Sequence, residues 1–342
     1  MKASANIEKR EVFSNDIIFI DGLWGTGKSL LAPIVSAMHG VEKVKIESIY
    51  EYTSWLYYLK KIDEDAALWM LRTYVDMGQY HNRIGREINL RWSDDTGLKY
   101  VQGKFNLVRR LFAKEGDKKV EEINQKNIAY CVMSHMLMLA PDLLLKAYGG
   151  RVKVIEMVRH PLYMVGHFSA YLSRFDSQRE FTTSYYIGKQ KVPWFVEGWA
   201  DEFMAANHTE RAILCISRLY PWLYQRIDEA RQRGLEILVV GFEESVFQTN
   251  LLLNKLQEFT GRAHHENIDR ILKGQKLPRA SINNGRGHAS YGWIRGDQTD
   301  EVVYQNMSEN IRENCSETLY FDLEKTILWY NQKFPSQLAN LK

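Results

Sequence analysis

This sequence of 342 residues has few cysteines and no cluster of metal-binding side chains. Its three cysteines, Cys131, Cys215 and Cys315, lie far apart, without C-x-x-C spacing and without metal-ligand histidines beside them. The adjacent His264 and His265 also lack partners at metal-binding spacing. We therefore expect reduced thiols, and we expect neither a disulfide framework nor a metal site.

Long apolar segments are missing as well. Residues 1–16 carry charged side chains but no apolar stretch of the length that a signal peptide needs. No window of the sequence approaches the run of about 20 apolar residues that spans a bilayer as a helix. We therefore expect a soluble, cytoplasmic protein without a membrane partner.

The net charge is small, at +3 with neutral histidines, and no basic stripe stands out. This charge does not indicate a nucleic-acid partner by itself, and it suits local basic pockets for anionic ligands equally well. We therefore predict no nucleic-acid partner. The apolar fraction of 45% and the charged fraction of 25% are typical of a soluble globular protein.

The clearest motif is DGLWGTGKSLL, residues 21–31, which follows the apolar run DIIFI of a predicted buried strand. It fits the phosphate-loop pattern G-x-x-x-x-G-K-[ST], and a plausible helix, KSLLAPIVSAM, follows it. Backbone N–H groups, the helix N-terminus and the lysine charge all favour an anion in such a loop. We predict that a nucleotide phosphate is bound by Gly22, Gly25, Thr26, Gly27, Lys28 and Ser29. The alternative is a Gly-rich turn with a solvated lysine.

Strand and helix patterns alternate along most of the chain. Apolar runs at 128–135, 151–158 and 235–240 predict buried strands, and the segments after them predict helices. This order is typical of a parallel sheet with crossover helices. We predict an α/β, three-layer P-loop fold with a central parallel sheet flanked by helices, formed by residues 1–342 as a single domain.

Two segments extend this predicted core. An aromatic-rich region without strand alternation predicts a helical insertion at about 52–125. Residues from about 279 to 342 begin with a run rich in Gly and Asn and finish with a helical pattern. They predict a C-terminal extension of loop and helix.

Two longer runs carry a family resemblance. The run VMSHMLMLAPDLLLKAYGGRVKVIEMVRHPLYMVGHF, residues 132–168, predicts a strand ending in histidine, a helix with a proline near its start, and a strand ending in Arg-x-Pro. The run ILVVGFEESVFQTNLLLNKLQEFTG, residues 237–261, predicts a strand, an acidic turn and a helix. In this order and spacing they resemble the sulfotransferase family that uses 3′-phosphoadenosine 5′-phosphosulfate (PAPS). With the loop, the resemblance touches about half of the chain.

The resemblance implies transfer of a sulfuryl group from PAPS to a hydroxyl or amine of a small-molecule acceptor. The nucleotide product would be adenosine 3′,5′-bisphosphate (PAP), and no metal is implied. His135 would be the general base, a role that suits an imidazole because it can accept a proton near neutral pH. Lys28 would neutralise charge on the leaving 5′-phosphate. The family's loop lysine falls at Gly25 of this sequence, so Lys28 lies three positions later than in the family.

The resemblance also implies a second anion site, for the 3′-phosphate. Arg159 follows a predicted strand, where its guanidinium can fork onto a phosphate, and an ion pair with a nearby carboxylate is the alternative. The family has a serine eight residues after this arginine, where the present sequence has His167, with Ser169 two residues further on. A partial version of the family's late basic element occurs around Arg286, and an exposed turn is the alternative.

Two other functions fit the same loop. An NTP-dependent small-molecule kinase would use Lys28 on the phosphates and Ser29 on Mg²⁺, together with an acidic residue at a strand end. Glu243 and Glu244 are the candidates for that residue, but Glu243 matches the structural acidic turn of the sulfotransferases. We therefore favour a sulfotransferase and keep the kinase as the alternative. A non-catalytic nucleotide-binding protein, which would keep the loop but lose the base, is the third class.

An acceptor pocket is expected between the sheet edge and the helical insertion, because open α/β sheets bind ligands at that edge. The aromatic segments 54–59 and 191–199 are candidates for its lining, and core packing is the alternative. Neither segment has a pattern that selects one class of acceptor.

Overall fold

The computed structural model describes residues 6–91, 104–175, 182–285 and 298–334 of the protein. Within these residues the strands are, in chain order, β1 (Ile17–Asp21), β2 (Lys45–Ile46), β3 (Tyr130–Met133), β4 (Val152–Val158), β5 (Ser184–Ile187), β6 (Gln190–Pro193) and β7 (Glu236–Gly241). A parallel sheet has the strand order β2-β3-β1-β4-β7, and β5 pairs with β6 in a separate antiparallel hairpin.

Helices connect the strands and cover both faces of the sheet. The α-helices of the described residues are α1 (Lys28–Val35), α2 (Ile49–Tyr58), α3 (Glu64–Arg83), α4 (Lys104–Arg110), α5 (Asp117–Lys126), α6 (Leu144–Tyr148), α7 (Leu162–Leu172), α8 (Ala200–Ala205), α9 (His208–Gln232), α10 (Phe242–Phe247), α11 (Thr249–Thr260), α12 (Ile268–Gln275), α13 (Asp300–Glu313) and α14 (Glu317–Lys333). Within the same ranges, no helix combines the length and the apolar character that crossing a bilayer requires.

The sheet has a hydrophobic core on each face. In β1, whose five side chains are all buried, Ile17 and Phe19 pack in one core and Ile18 and Ile20 in the other. This alternation arises because successive side chains of a strand point to opposite faces of the sheet. A parallel sheet that is covered on both faces needs nearly continuous apolar strands, which explains the run IIFI. The predicted three-layer α/β fold with a central parallel sheet is confirmed.

The strand register brings several connecting segments to one edge of the sheet. Ile20 lies opposite Met133 of β3, and Asp21 lies opposite Glu156 of β4. Because the strands are parallel, the segments that follow β1, β3, β4 and β7 emerge side by side. Ligands of open α/β sheets bind at this edge.

Two features extend the sheet and its covering helices. Helices α2 to α5 lie between β2 and β3, in the segment that the sequence predicts to be a helical insertion. The hairpin of β5 and β6 is not predicted, because each strand has four residues and β5 has no fully buried side chain, so no long apolar alternation marks it. Its turn uses Gly188, whose φ of 61° suits glycine.

Candidate functional site

The loop between β1 and α1 packs closely against two neighbouring segments. Gly25 and Gly27 have φ values of 84° and 97°, which side chains of L-residues rarely adopt. A β-carbon at Gly25 would lie 2.9 Å from Cγ of His167, and one at Gly27 would lie 2.4 Å from Cδ2 of Phe242. The glycines of the motif therefore serve two purposes, since they allow the turn and admit the neighbouring rings.

Lys28 lies beneath this loop. Its Nζ donates hydrogen bonds to the carbonyl oxygens of Gly22 at 2.7 Å and Leu23 at 2.8 Å, and the side chain is buried. Burial lowers the pKa of Lys28, and the nearby carboxyl groups, Asp21 first among them, oppose this shift. Thr26 stabilises the same turn, since its hydroxyl donates to the carbonyl oxygen of Leu23 at 2.9 Å. The ammonium group therefore holds the loop from below.

Ser29 occupies a different position from the other loop residues. It lies in the first turn of α1, and its side chain is exposed. Its backbone N–H has no acceptor within the helix, as is general for the first turn. Ser29 is therefore accessible at the start of α1, and its contact with an anion or a metal-bound phosphate stays a prediction.

Two buried carboxyl groups lie under the loop, at neighbouring positions of β1 and β4. Asp21 accepts hydrogen bonds from Ser134 Oγ at 3.0 Å and from the backbone N–H of Met138 at 2.8 Å. Glu156, its register partner, is fully buried. Burial raises the pKa of Glu156 well above its usual range, and Asp21 adds to this shift whereas Lys28 opposes it. Glu156 therefore holds its proton more tightly than an exposed glutamate does.

His135 is held on a turn whose backbone is fixed at several points. Its backbone N–H donates to Oε2 of Glu51, a buried residue of α2. The next residue, Met136, has a φ of 58°, and its backbone accepts from Trp55 Nε1 at 3.1 Å and donates to the carbonyl of Gly22 at 3.3 Å. The His135 side chain keeps 33% of its surface exposed, and its Nδ1 lies 3.7 Å from Oε2 of Glu51. The backbone is thus rigid, and the ring remains accessible.

Arg159, directly after β4, lies against the loop. Its Nη1 donates to the carbonyl oxygen of Gly25 at 3.1 Å, and its guanidinium lies over the Phe242 ring, 4.3 Å from the ring centroid. Its backbone carbonyl accepts from the hydroxyl of Tyr220. Burial lowers the pKa of Arg159, and the neighbouring Glu243 opposes the shift. The structure therefore brings the cation of the predicted second anion site to the loop of the first.

His167 lies where these groups meet. Burial, together with the charges of Arg159, Lys28, His135 and Arg174, lowers its pKa to about 3. A neutral His167 can donate only one ring N–H to a ligand. Each of these charges disfavours protonation of the His167 ring. The loop lysine, the predicted base and the arginine are thus close enough to act on one imidazole.

The other two residues predicted for the second anion site have different outcomes. Ser169 lies two residues beyond His167 on α7, and successive helical residues are about 100° apart, so the two side chains point to different faces. His167 faces the loop at Gly25, and Ser169 is turned away from that direction. Arg286 lies outside the described residues.

The candidates for a kinase metal ligand are engaged in structural contacts. Glu243 Oε1 accepts from the backbone N–H of His160 at 3.1 Å, and its Oε2 accepts from the hydroxyl of Tyr330 at 2.8 Å. Glu244 accepts from Lys255 Nζ at 2.7 and 2.8 Å. In the part of the chain that the structure describes, no group of three or more His, Cys, Asp or Glu side chains is arranged for a metal ion.

The aromatic segments predicted to line an acceptor pocket contribute mainly to the core. Trp55 and Trp194 are 2% and 1% exposed, and their rings stack with centroids 4.8 Å apart. Tyr58, on the same helix as Trp55, is 39% exposed. Both tryptophans therefore pack in the core, as the alternative interpretation of these segments predicts.

Three residues of the site are missing from the sequence-based prediction. Asp21 and Glu156 are acidic residues in otherwise apolar strands, and that pattern is a usable signal, because a charge in a buried strand needs a partner. Glu51 has no such signal. It is 84 positions away from His135 in the chain, and only the tertiary fold places them together.

The chain is similar in structure to solved sulfotransferases. One is the sulfotransferase STF1 from Mycobacterium tuberculosis H37Rv, at 13% identity and a TM-score of 0.38, with 88% of this chain and 78% of that chain covered. The sulfotransferase domain of the Synechococcus PCC 7002 olefin synthase matches at 11% identity and a TM-score of 0.42, with 94% and 96% covered. Sulfotransferase STF9 from Mycobacterium avium matches at 12% identity and a TM-score of 0.38, with 89% of this chain and 77% of that chain covered. No protein-family model and no curated protein matches the chain.

Proposed function

We propose that this protein is a sulfotransferase that moves a sulfuryl group from PAPS to a hydroxyl or amine of a small-molecule acceptor. The observation that carries the proposal is the contact of Arg159 with Gly25 of the phosphate loop. It places a guanidinium next to a loop suited to phosphate, and a nucleotide with separate 5′ and 3′ anionic groups needs two such positions close together.

The residues of the site fit such a nucleotide. Arg159, Lys28 and His135 all lie close enough to His167 to lower its pKa, and such basic groups are suited to a ligand with more than one anionic group. Residues Gly22 to Ser29 would hold the 5′ end, and Arg159 the 3′-phosphate. His167, Ser169 and Arg286 remain candidates for the second position, with Ser169 disfavoured by its direction on α7. Bound PAPS would supply an activated sulfuryl group, whose transfer depends chiefly on alignment and charge stabilisation.

His135 is the proposed general base. Its ring is accessible, and its backbone is fixed by Glu51, so the imidazole can meet an acceptor in a defined position. It would take the proton of the acceptor hydroxyl or amine as the new bond to sulfur forms. Lys28 is the proposed cation for the leaving 5′-phosphate. Its Nζ donates to the carbonyl oxygens of Gly22 and Leu23, so its charge lies within the loop that is proposed to hold this phosphate.

The kinase alternative is less well supported. It requires a carboxylate for Mg²⁺ near the loop, and the candidates, Glu243 and Glu244, are both occupied by structural partners. Removing Glu243 from His160 and Tyr330 would leave buried polar groups without partners, which is costly.

Calorimetric titration with PAP and with ATP separates these functions. In EDTA we expect PAP to bind to the wild-type protein and Arg159→Ala to weaken this binding at least about tenfold, as loss of a charge-assisted hydrogen bond predicts. Arg218→Ala is the control, because Arg218 pairs with Glu202 at the surface. Binding of ATP only with Mg²⁺, and no binding of PAP, would overturn the sulfotransferase in favour of the kinase.

Turnover then tests the base. Release of PAP from PAPS is measured with a panel of phenols, alcohols and amines. We expect His135→Ala to lower the rate by about 10²- to 10⁴-fold, the range for a general base, with unchanged affinity for PAP. Tight binding of PAP without turnover on any acceptor in the panel would point instead to a non-catalytic nucleotide-binding protein.

A further inference from the structure

Glu51 and His135 form a carboxylate–imidazole pair at the edge of the sheet. Glu51 lies in the first turn of α2 and is only 3% exposed. One of its oxygens, Oε2, accepts the backbone N–H of His135 and lies 3.7 Å from Nδ1 of the same residue. The carboxylate therefore contacts the backbone of this histidine and faces its ring.

The surroundings of this pair restrict its freedom. Trp55, one turn further along α2, donates to the carbonyl of Met136, so the helix is attached to the turn at two successive residues. Glu51 is also one of the carboxyl groups that raise the pKa of Lys28 against the effect of burial. A carboxylate that is removed from water in this way needs compensating groups, and the described structure supplies a backbone N–H, an imidazole and a nearby ammonium.

The distance of 3.7 Å between Nδ1 and Oε2 is an ion-pair distance and too long for a hydrogen bond. A rotation of the partly exposed ring can close it, and catalytic hydrogen bonds are often long before a ligand binds. When Nδ1–H donates to Glu51, the proton of the neutral ring is on Nδ1. Nε2 then carries the lone pair and is the atom able to take a proton.

We propose that Glu51 is a positioning residue that acts through His135, keeping its Nδ1 protonated and stabilising the imidazolium that forms during transfer. This inference rests on the proposed function of His135 as the base. The acceptor's proton moves to Nε2, and the electron pair it leaves forms the bond to sulfur. The pair of the broken S–O bond departs on the 5′-phosphate of PAP. Glu51 gains no proton, because Nδ1–H stays on the ring.

The first test is Glu51→Gln, which keeps an oxygen for the backbone N–H and removes the charge. We expect kcat to fall at least about tenfold, by analogy with loss of the carboxylate from other carboxylate–histidine pairs. We expect the KM for PAPS and the affinity for PAP to stay unchanged. Glu47→Gln is the matched control, because Glu47 precedes α2 and its carboxylate accepts from the hydroxyl of Tyr130. An equal effect of both substitutions would overturn the proposal.

A double-mutant cycle tests whether Glu51 acts through His135. In the His135→Ala background, we expect Glu51→Gln to change kcat less than twofold, since its partner is already gone. If the fold-changes in kcat of the two single substitutions multiply in the double variant, Glu51 acts independently of His135, and the proposal is overturned. Thermal melts of each variant show whether it is folded. We expect Glu51→Asp, which retains a charge, to have a higher kcat than Glu51→Gln.

A spectroscopic measurement separates this inference from the proposed function. In protein labelled with ¹⁵N-histidine, the His135 signals are assigned by their loss in His135→Ala. We expect a protonated Nδ1 in the wild type and a shift towards the Nε2-protonated tautomer in Glu51→Gln. This result would stand even if no sulfuryl transfer were found, in which case only the proposed function fails. A wild-type ring protonated on Nε2 alone would overturn the pairing itself.

Discussion

Gly27 and Phe242 lie in direct contact, so close that a β-carbon at position 27 would be 2.4 Å from Cδ2 of the ring. Phe242 begins α10 directly after β7, and β7 is two strands away from β1 in the sheet. The same ring lies under the guanidinium of Arg159. One aromatic side chain therefore fixes the spacing between the phosphate loop and the arginine of the second anion site.

This contact predicts that Gly27→Ala costs more than backbone strain alone. Gly234 is the control, because its φ of 95° nearly equals the 97° of Gly27, and no atom lies within 4 Å of a β-carbon built there. We expect Gly234→Ala to lower the free energy of unfolding by about 1–2 kcal/mol, from the left-handed backbone alone. Gly27→Ala should lower it further and weaken the binding of PAP. Urea denaturation and calorimetry measure the two effects.

One result of the two glycine substitutions would contradict this prediction. Equal losses of stability, with unchanged affinity for PAP in Gly27→Ala, would mean that the Phe242 ring moves aside without cost. The double variant Gly27→Ala with Phe242→Leu examines this point, since a smaller side chain makes room for the added methyl group. We expect it to recover part of the stability that Gly27→Ala alone loses.

Local patterns are sufficient to predict the sheet and the loop. The runs at 128–135 and 151–158 contain β3 and β4, and the run at 235–240 contains all of β7 except its last residue, because buried strands are apolar along most of their length. The loop follows from glycines and a lysine at fixed spacing between a strand and a helix. Each of these features is encoded within about a dozen neighbouring residues.

Long-range contacts are the part that local patterns do not predict. Glu51 reaches His135 only because α2 packs beside the end of β3, and Phe242 reaches Gly27 only because β7 lies two strands from β1. The motif begins at Asp21, but the contact of this residue with the turn after β3 depends on strand order. Which side chains meet at the sheet edge depends on the order of the strands. Local sequence patterns predict the fold class, but they do not predict these individual contacts.

His160 predicts a loss of stability in acid. It is buried among the rings of Tyr163, Tyr304 and Tyr330, and its Nδ1 accepts the backbone N–H of Leu162 at 3.3 Å. Burial, together with the charge of Arg159, lowers its pKa from 6.5 to about 3. Below about pH 6.5 the unfolded chain binds a proton at this residue and the folded chain does not, so folding becomes less favourable as the pH falls.

The substitution His160→Asn isolates this effect, because the amide oxygen can keep the hydrogen bond from Leu162 and the side chain does not titrate. Between pH 6 and pH 4 we expect the wild type to lose up to about 1.4 kcal/mol per pH unit more than the variant. Urea denaturation at several pH values measures both curves, with pH 8 as the reference. Parallel curves would contradict the assignment of His160 as a buried neutral imidazole.

Glu156 is expected to give the opposite pH dependence, in which the stability of the folded protein decreases as the pH rises. The side chain is fully buried, and within the described residues neither of its oxygens accepts a hydrogen bond. As a neutral acid it can donate to the carboxylate of Asp21, a contact that two carboxylates cannot make. This agrees with the raised pKa that burial and Asp21 cause, against the opposing charge of Lys28.

The raised pKa has a definite sign in the stability of the protein. Above the usual glutamate pKa of 4.5 the unfolded chain releases the proton of Glu156 and the folded chain retains it, so wild-type stability falls as the pH rises. Glu156→Gln resembles the neutral acid and does not titrate. Its advantage over the wild type should grow from pH 5 upward by up to about 1.4 kcal/mol per unit, until the folded protein also ionises.

Glu122→Gln is the control for this measurement. Hydrogen bonds from Lys119 and Lys126 lower the pKa of Glu122 to about 2, so both states of the chain are ionised at this residue above pH 5. Its stability difference from the wild type should therefore be constant from pH 5 to 9, whereas that of Glu156→Gln should rise. A constant difference for Glu156→Gln would instead make Glu156 a second carboxylate under the loop, and Lys28 would then have to neutralise two charges rather than one.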